Sequence, residues 1–207
     1  MQNKKNRDPS VVVIGAGMTG ILMAIKLREA GITNLTILEK TDRIGGTWRE
    51  NTYPGVACDV PAHMYTYSFE PNPDWTQLYA SGAEIHQYFE KVGRKYGVTN
   101  TIRFNEAVTD CVYDNGQWTV TTAKGDIITA DFVVNSTGIL HHPVLPNIEG
   151  LDTFEGVKFH TAQWNHDIDL ACKKVGIIGT GSTAAQVIPE VAKEAAKLTV
   201  FQRTPNW

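Results

Sequence analysis

Apolar residues in this chain come in short unbroken runs, each followed by glycine and then by a helix-forming stretch. In "VVVIGAGMTG" every position from Val11 to Ile14 is apolar. That is too apolar for a strand with one wet face, so it predicts a strand buried on both sides in a parallel sheet. "MTGILMAIKLREAG" carries helix formers and stops at Gly31, a favourable residue just past a helix end. "LTILEK", Leu35 to Lys40, predicts a second strand. Strand, glycine turn, helix and strand within about 30 residues make a βαβ unit. The same cadence returns near the other end: "KVGIIG" predicts a strand, Ser182 to about Lys197 a helix, and "LTVFQR" another strand.

The stretch between them is mixed. Residues 41–80 carry Gly45, Gly46, Pro54, Gly55, Pro61, Pro71 and Pro73 among many aromatics, and predict a long loop wrapped over a ligand. "SGAEIHQYFEKVGRKYGV" returns to helix, with Ser81 and Glu84 spaced as a capping box and Gly97 as its stop. "AVTDCVYD" and "QWTVTT" flank Asn115-Gly116, a strong hairpin signal. With "DIITA" they predict a small antiparallel meander. "DFVVNSTG" predicts one more buried strand, and the proline-containing "HHPVLPNIEG" a connector between domains. The expected fold class is α/β: two Rossmann-like dinucleotide-binding units with a small antiparallel β meander, the second unit incomplete. The expected division is residues 1–140 and 141–207. Two parallel strands do not make a stable domain, so the second unit calls for a missing C-terminal segment or a partner chain.

Composition narrows the function classes. The chain has 207 residues, 42% hydrophobic positions and a formal net charge of −3, ordinary for a soluble globular protein. It shows no basic stripe for nucleic acid and no apolar run near the roughly 20 residues that span a bilayer. "MQNKKNRDPS" lacks the apolar core of a signal peptide and reads as a short frayed tail. Cys58, Cys111 and Cys172 are widely separated, which supports neither a zinc site nor a redox pair, and a cytoplasmic location is the default. No metal is expected, and His141 and His142 read as linker residues.

The two glycine loops carry the chemistry. Gly15-x-Gly17-x-x-Gly20 follows a strand and opens a helix through Met18 and Thr19, and Glu39 lies 19 residues past Gly20. The first glycine permits the turn, the second a close approach to a pyrophosphate, and the third tight packing of helix on strand. The pyrophosphate would rest on the helix N-terminus, and Glu39 would accept hydrogen bonds from both ribose hydroxyls. Gly179-x-Gly181-x-x-Ala184, with Thr180, Ser182 and Thr183 between and Gln186 on the following helix, repeats the pattern. Aligned on the first glycine, Arg203 falls where Glu39 stands; aligned on the shared Leu-Thr, Gln202 does. Either way the carboxylate is gone, and an arginine there suits a 2′-phosphate. The first loop suits FAD and the second NADP(H), an electron-transfer pair. Disulfide reductases also use two such sites but need a cysteine pair beside the flavin, and only Cys58 lies in that region.

At this point the chain resembles the N-terminal part of a class B flavin-dependent monooxygenase, and more narrowly of a Baeyer–Villiger monooxygenase, from Val11 to Trp207. The motifs are "GGTWRENTYPGVACD", "STGIL" and "FQRTPNW", together with the fingerprint F-x-G-x-x-x-H-x-x-x-W met by Phe154, Gly156, His160 and Trp164. The slot after Trp164 is Asn165 where the strict pattern has Pro or Asp. The resemblance implies FAD contacts from Gly15, Gly17, Met18, Thr19, Gly20, Glu39 and Lys40, and from Gly46, Thr47 and Trp48. Tyr65 would stand near the flavin and Val108 at the adenine; as core residues Trp48, Tyr65 and Val108 would read the same. Thr137-Gly138 is the linker motif. Ala57, Cys58 and Asp59 would line the nicotinamide side, with Asp59 holding an active-site arginine from far downstream, or else only capping its loop. The second nucleotide would be held by Gly179 to Ala184, Gln186, Arg203 and Thr204. His160 either ties the linker to the NADP domain during turnover or is a hydrogen-bonded histidine without catalytic duty.

The implied reaction is oxidation of a ketone to an ester or lactone with NADPH and molecular oxygen, with bound NADP⁺ excluding water. The implied arginine is not among these residues, so little or no oxygenase activity is expected of this chain alone. An N- or S-oxidising flavin monooxygenase and a non-catalytic nucleotide-binding module stand as alternatives.

Overall fold

The computed structural model describes residues 7–205. The polar start up to residue 6 and the closing Asn206 and Trp207 of "FQRTPNW" lie outside the described residues. Along the chain the elements are β1 (Val11–Ile14), α1 (Met18–Glu29), β2 (Leu35–Leu38), α2 (Thr47–Glu50), α3 (Gly82–Lys95), β3 (Ile102–Arg103), β4 (Val108–Asp114), β5 (Gln117–Thr122), β6 (Ile127–Ala130), β7 (Phe132–Asn135), β8 (Lys174–Ile178), α4 (Ser182–Glu194) and β9 (Lys197–Phe201). They group into two compact units. One runs up to Thr47 and resumes over His86–His141; the other takes Trp48–Ile85 and the chain from His142 onward. Residues 48–85, grouped with the N-terminal domain in the expected division, therefore sit in the second unit.

The first unit holds a parallel sheet in the order β3-β2-β1-β7. β1 pairs with β2 from Val11↔Leu35 to Ile14↔Leu38 and with β7 from Val11↔Phe132 to Ile14↔Asn135. Both faces of its centre are covered, which is why Val11–Ile14 is apolar throughout. The meander β4-β5-β6 packs Val120 and Ala130 against Val12 and Leu38, and α1 buries Ile21, Ala24 and Ile25. Each such side chain, fully buried, contributes about 1.5–3 kcal/mol, less for alanine. The α1 C-terminus closes as a Schellman turn: Gly31 sits at φ +83°, its N–H donates to the Arg28 carbonyl at 2.9 Å, and the Ile32 N–H to the Leu27 carbonyl at 2.9 Å. Asn115 and Gly116, at φ +49° and +80°, make the expected hairpin turn. β3 has two residues, too short for any periodicity to announce.

The second unit holds β8 and β9, paired in parallel from Lys174↔Lys197 to Ile178↔Phe201. α4 covers one face: Val187 and Val191 form a core with Tyr53, bordered by Val56, Trp164, Leu170, Val175, Ile177 and Leu198. Ile178, Val200 and Phe201 remain exposed, so the second unit is incomplete beside the first. α4 ends at Glu194, earlier than the expected Lys197. Ala195 turns extended and bridges Ala171, and Lys197 already opens β9. The long loop is largely irregular as expected but is anchored by buried side chains, Tyr53, Cys58, Ala62, Tyr67, Trp75 and Ala80. Only half of the capping box forms. The Glu84 N–H donates to Ser81 Oγ at 3.3 Å, while the Glu84 carboxylate accepts from the Thr76 N–H and Oγ at 2.9 and 3.0 Å.

Candidate functional site

The first glycine loop is shaped by contacts that leave no room for side chains. A Cβ on Gly20 would stand 2.0 Å from the Gly15 carbonyl oxygen, and one on Gly15, at φ +99°, 2.7 Å from the Ser136 carbonyl oxygen. Gly46, at φ +54°, lies against Gly17, where a Cβ would meet the Gly17 Cα at 3.0 Å. Bare backbone thus lines the turn ahead of α1. Gly17 is the N-cap of α1 and no side chain caps the helix, so its first N–H groups face outward with Met18 and Thr19 exposed. Glu39 is buried at the end of β2. Its Oε2 accepts from the Ala16 N–H at 2.8 Å, and its Oε1 from the Thr41 N–H at 3.0 Å and Thr41 Oγ at 2.7 Å. An ionised carboxylate has about four acceptor positions, so one remains for a ligand hydroxyl. Lys40 is exposed and touches the His141 ring nitrogen. Ser136 Oγ is buried without a partner. Thr137 donates to Asn135 Oδ1 through both its N–H and its hydroxyl, at 3.2 and 2.9 Å, and Gly138 follows at φ +79°. Val108 opens β4, partly buried against the meander core.

The second loop repeats the plan with more space around it. Gly179 is at φ +111°, and neither Gly179 nor Gly181 has an atom within 4 Å of an added Cβ. Gly181 is the N-cap of α4, again with no side-chain cap, and Ser182 and Thr183 begin the helix after Thr180. Ala184 is buried. Hydrogen bonding decides between the two alignments. The Gly15 N–H donates to the Leu38 carbonyl at 2.8 Å and the Gly179 N–H to the Phe201 carbonyl at 2.9 Å. Leu38 therefore corresponds to Phe201, Glu39 to Gln202, and Lys40 to Arg203. No carboxylate stands there. Arg203 and Thr204 are exposed, and Gln202 Nε2 donates to the Thr204 carbonyl at 3.2 Å.

The loop of the second unit is built onto α4. Tyr53 Oη donates to Gln186 Oε1 at 2.8 Å, and Gln186 Nε2 donates to the Ala57 carbonyl at 2.9 Å. Gln186 thus spends both ends of its amide within the protein. Burial pushes the Tyr53 hydroxyl pKa up, so it stays a donor. Cys58 is buried, and burial pushes its thiol pKa up too, away from a reactive thiolate. Asp59 beside it is exposed. Thr47 begins α2. The Trp48 indole N–H donates to Tyr65 Oη at 3.2 Å, with the rings edge to face at 5.5 Å. The fingerprint residues have separate local duties. The Phe154 ring lies over Gly156, where a Cβ would come within 2.4 Å of it. His160 Nδ1 accepts from the Ala162 N–H at 3.1 Å, capping the 3-10 turn Thr161–Gln163. Trp164 packs edge to face on Phe159 and borders the Tyr53 core. No group of three or more histidine, cysteine, aspartate or glutamate side chains that would hold a metal occurs among the described residues. No helix among them is long and apolar enough to cross a membrane.

Two strand–glycine–helix turns, each with an uncapped helix N-terminus, match a family model described as pyridine nucleotide-disulphide oxidoreductase over residues 12–207. The chain belongs to this family. A Baeyer–Villiger monooxygenase of Streptomyces coelicolor is 46% identical over 199 residues, covering 95% of this chain and 38% of that protein. Among solved structures, the OTEMO complex with FAD and NADP superimposes with a TM-score of 0.89 at 37% identity, covering 98% of this chain and 40% of that one. The open crystal structure of cyclohexanone monooxygenase gives 0.89 at 41% identity, covering 98% and 41%. The chain thus spans about two fifths of the length of these family relatives. They are flavin-dependent oxidoreductases, in agreement with the resemblance carried by the motifs. Cys58, Cys111 and Cys172 are all free.

Thr41, Ser136 and Glu106 were not singled out by the sequence. Thr41 had one usable signal, a hydroxyl two residues past Glu39, a spacing at which it reaches that carboxylate.

Proposed function

We propose that this chain supplies the FAD- and NADPH-binding part of a monooxygenase of Baeyer–Villiger type, which oxidises a ketone to an ester or lactone with molecular oxygen. The observation that carries the reading is the contrast between the two strand ends: Glu39 after the first glycine loop, Gln202-Arg203 after the second. A buried acid accepts a ribose hydroxyl and repels a phosphate, whereas an exposed guanidinium attracts one.

The residues fit both groups. Bare backbone at Gly17 and Gly46 and the uncapped α1 N-terminus suit the FAD pyrophosphate. Ser136 Oγ, buried without a partner beside the Gly20 backbone, has a hydrogen bond to give there. Open space at Gly179 and Gly181 and the uncapped α4 N-terminus suit the NADP pyrophosphate. Bound together, flavin and nicotinamide supply the redox chemistry with oxygen. The chain's part is to hold and orient. Glu39 would hold the adenosine ribose, with Lys40 and Val108 as its candidate neighbours, and Thr137-Gly138 leads into the connector. Trp48 and Tyr65 form a braced aromatic pair. Gln186 and Tyr53 fix the loop that carries Ala57, Cys58 and Asp59, and Asp59 stands exposed, ready to hold a cation. His160 caps the turn that seats Trp164.

The test uses the full polypeptide that carries this chain. It should purify yellow, bleach with NADPH under nitrogen, and convert a cyclic ketone to its lactone in air. A colourless protein overturns the FAD assignment. Oxidation of a thioether or amine without lactone moves the activity to S- or N-oxidation.

A further inference from the structure

Among the described residues the buried carboxylates are Glu39 and Glu106, and Thr122 is buried with them. They lie in one connected strip of the first unit. The Glu39 N–H donates to the Arg103 carbonyl at 3.0 Å, and the Glu106 N–H donates back to the Glu39 carbonyl at 2.9 Å. Asn105, held at φ +57°, donates its N–H to the Thr41 carbonyl at 2.9 Å. Thr41 in turn gives its own N–H and hydroxyl to Glu39 Oε1. Residues 103–106 therefore hold Glu39 twice, by its backbone and, through Thr41, by its carboxylate.

What fixes residues 103–106 is the Glu106 side chain. Its Oε1 meets Lys124 Nζ at 3.0 Å and an Arg103 guanidinium nitrogen at 3.4 Å, while its Oε2 is buried without a partner. Arg103 also pairs with Asp126, and the Asp126 carbonyl accepts from the Thr122 N–H at 3.0 Å. The ion pairs thus tie the turn after β5 to the strip that carries Glu39. A buried carboxylate that loses its cation leaves an uncompensated charge, and the segment must shift to reach water.

We propose that Glu106 is a positioning residue for the adenosine ribose of FAD, acting through Glu39 and Thr41 and itself held by Lys124. The inference rests on the reading of Glu39 as the ribose acid. Glu106 touches no ligand; it sets where the remaining Glu39 lone pair points.

The test compares FAD with its 2′,3′-dideoxyadenosine analogue, using flavin fluorescence on the full polypeptide stripped of flavin. The variants are Glu39→Gln, Glu106→Gln and Lys124→Met. The parent should prefer FAD by about tenfold, the scale of one hydrogen bond to a charged group. Glu106→Gln and Lys124→Met should each lower that preference by about threefold or more while changing the affinity for the analogue less than about twofold. A purely structural role weakens both ligands together and keeps the ratio, and that result overturns the proposal. A ratio unchanged in Glu39→Gln instead refutes the ribose reading itself. If Glu106→Gln fails to fold, Lys124→Met decides alone, since Lys124 is more than half exposed.

Discussion

Gly55→Ala tests how the loop of the second unit is seated. An added Cβ would stand 2.5 Å from the Gln186 carbonyl oxygen and 3.0 Å from Glu190 Cγ, on a backbone at φ +80°. The left-handed conformation costs a non-glycine residue about 1–2 kcal/mol. The clash is with helix backbone, which cannot swing aside, so the loop must lift from α4. A shift of about 1 Å breaks both bonds of Gln186, to Tyr53 Oη and to the Ala57 carbonyl, at about 1 kcal/mol each. The expected loss is therefore about 3–4 kcal/mol. Gly125→Ala is the control. It has φ +87° and nothing within 4 Å of its Cβ, so it isolates the backbone cost. Urea unfolding followed by tryptophan fluorescence reads both, since Trp48, Trp75 and Trp164 lie in the second unit with Gly55, and Trp118 in the first with Gly125. If Gly55→Ala unfolds within about 0.5 kcal/mol of Gly125→Ala, the loop is not clamped on α4 as described.

Gly20→Ala should prevent flavin retention and lower stability, because its Cβ would lie 2.0 Å from the Gly15 carbonyl oxygen, whereas Gly181→Ala should leave thermal stability unchanged; flavin absorbance and melting curves check both. Arg203→Ala should lower the preference for NADPH over NADH by about ten- to a hundredfold, the scale of a charge-assisted hydrogen bond, as read by Kd for each nucleotide. The acid side of stability should depend on Glu106. Its hydrogen bond to Lys124, then their Coulomb attraction, holds its carboxyl below the ordinary glutamate value against the opposing effect of burial. That contribution is full above the unfolded-state pKa of about 4.3 and fades as pH falls through the lower native value. The stability difference between parent and Glu106→Gln, from urea midpoints, should shrink steadily from pH 6 toward pH 3. A difference that stays constant across that range refutes the pairing.

What the sequence made legible was whatever local chemistry dictates. Continuous valine runs, Gly31 and Gly97 at helix ends, and Asn115-Gly116 in the hairpin each depend on a few neighbouring residues, and the structure has them in place. Glu39 was legible because strand, glycine turn and acid keep a fixed spacing. Its partner Thr41 left only a two-residue spacing, and the distant Glu106 left no signal, because its place beside Glu39 comes from the pairing of β2 with β3, and β3 is too short to leave a pattern. The ambiguity between Gln202 and Arg203 was one of register. It yields to two backbone hydrogen bonds that no linear spacing encodes. Gln186 read as a ligand contact from its place after a glycine loop; only the fold brings Tyr53 and Ala57 to its amide.

The discontinuous second unit has a consequence for engineering by recombination. A chimera that exchanges only the segment after residue 141 for that of a relative would pair a foreign α4 with the native Tyr53–Ala57 loop, and every mismatch at Gln186 would fall on the seam. Crossovers at residues 47, 85 and 141 together would carry loop and helix as one inherited block.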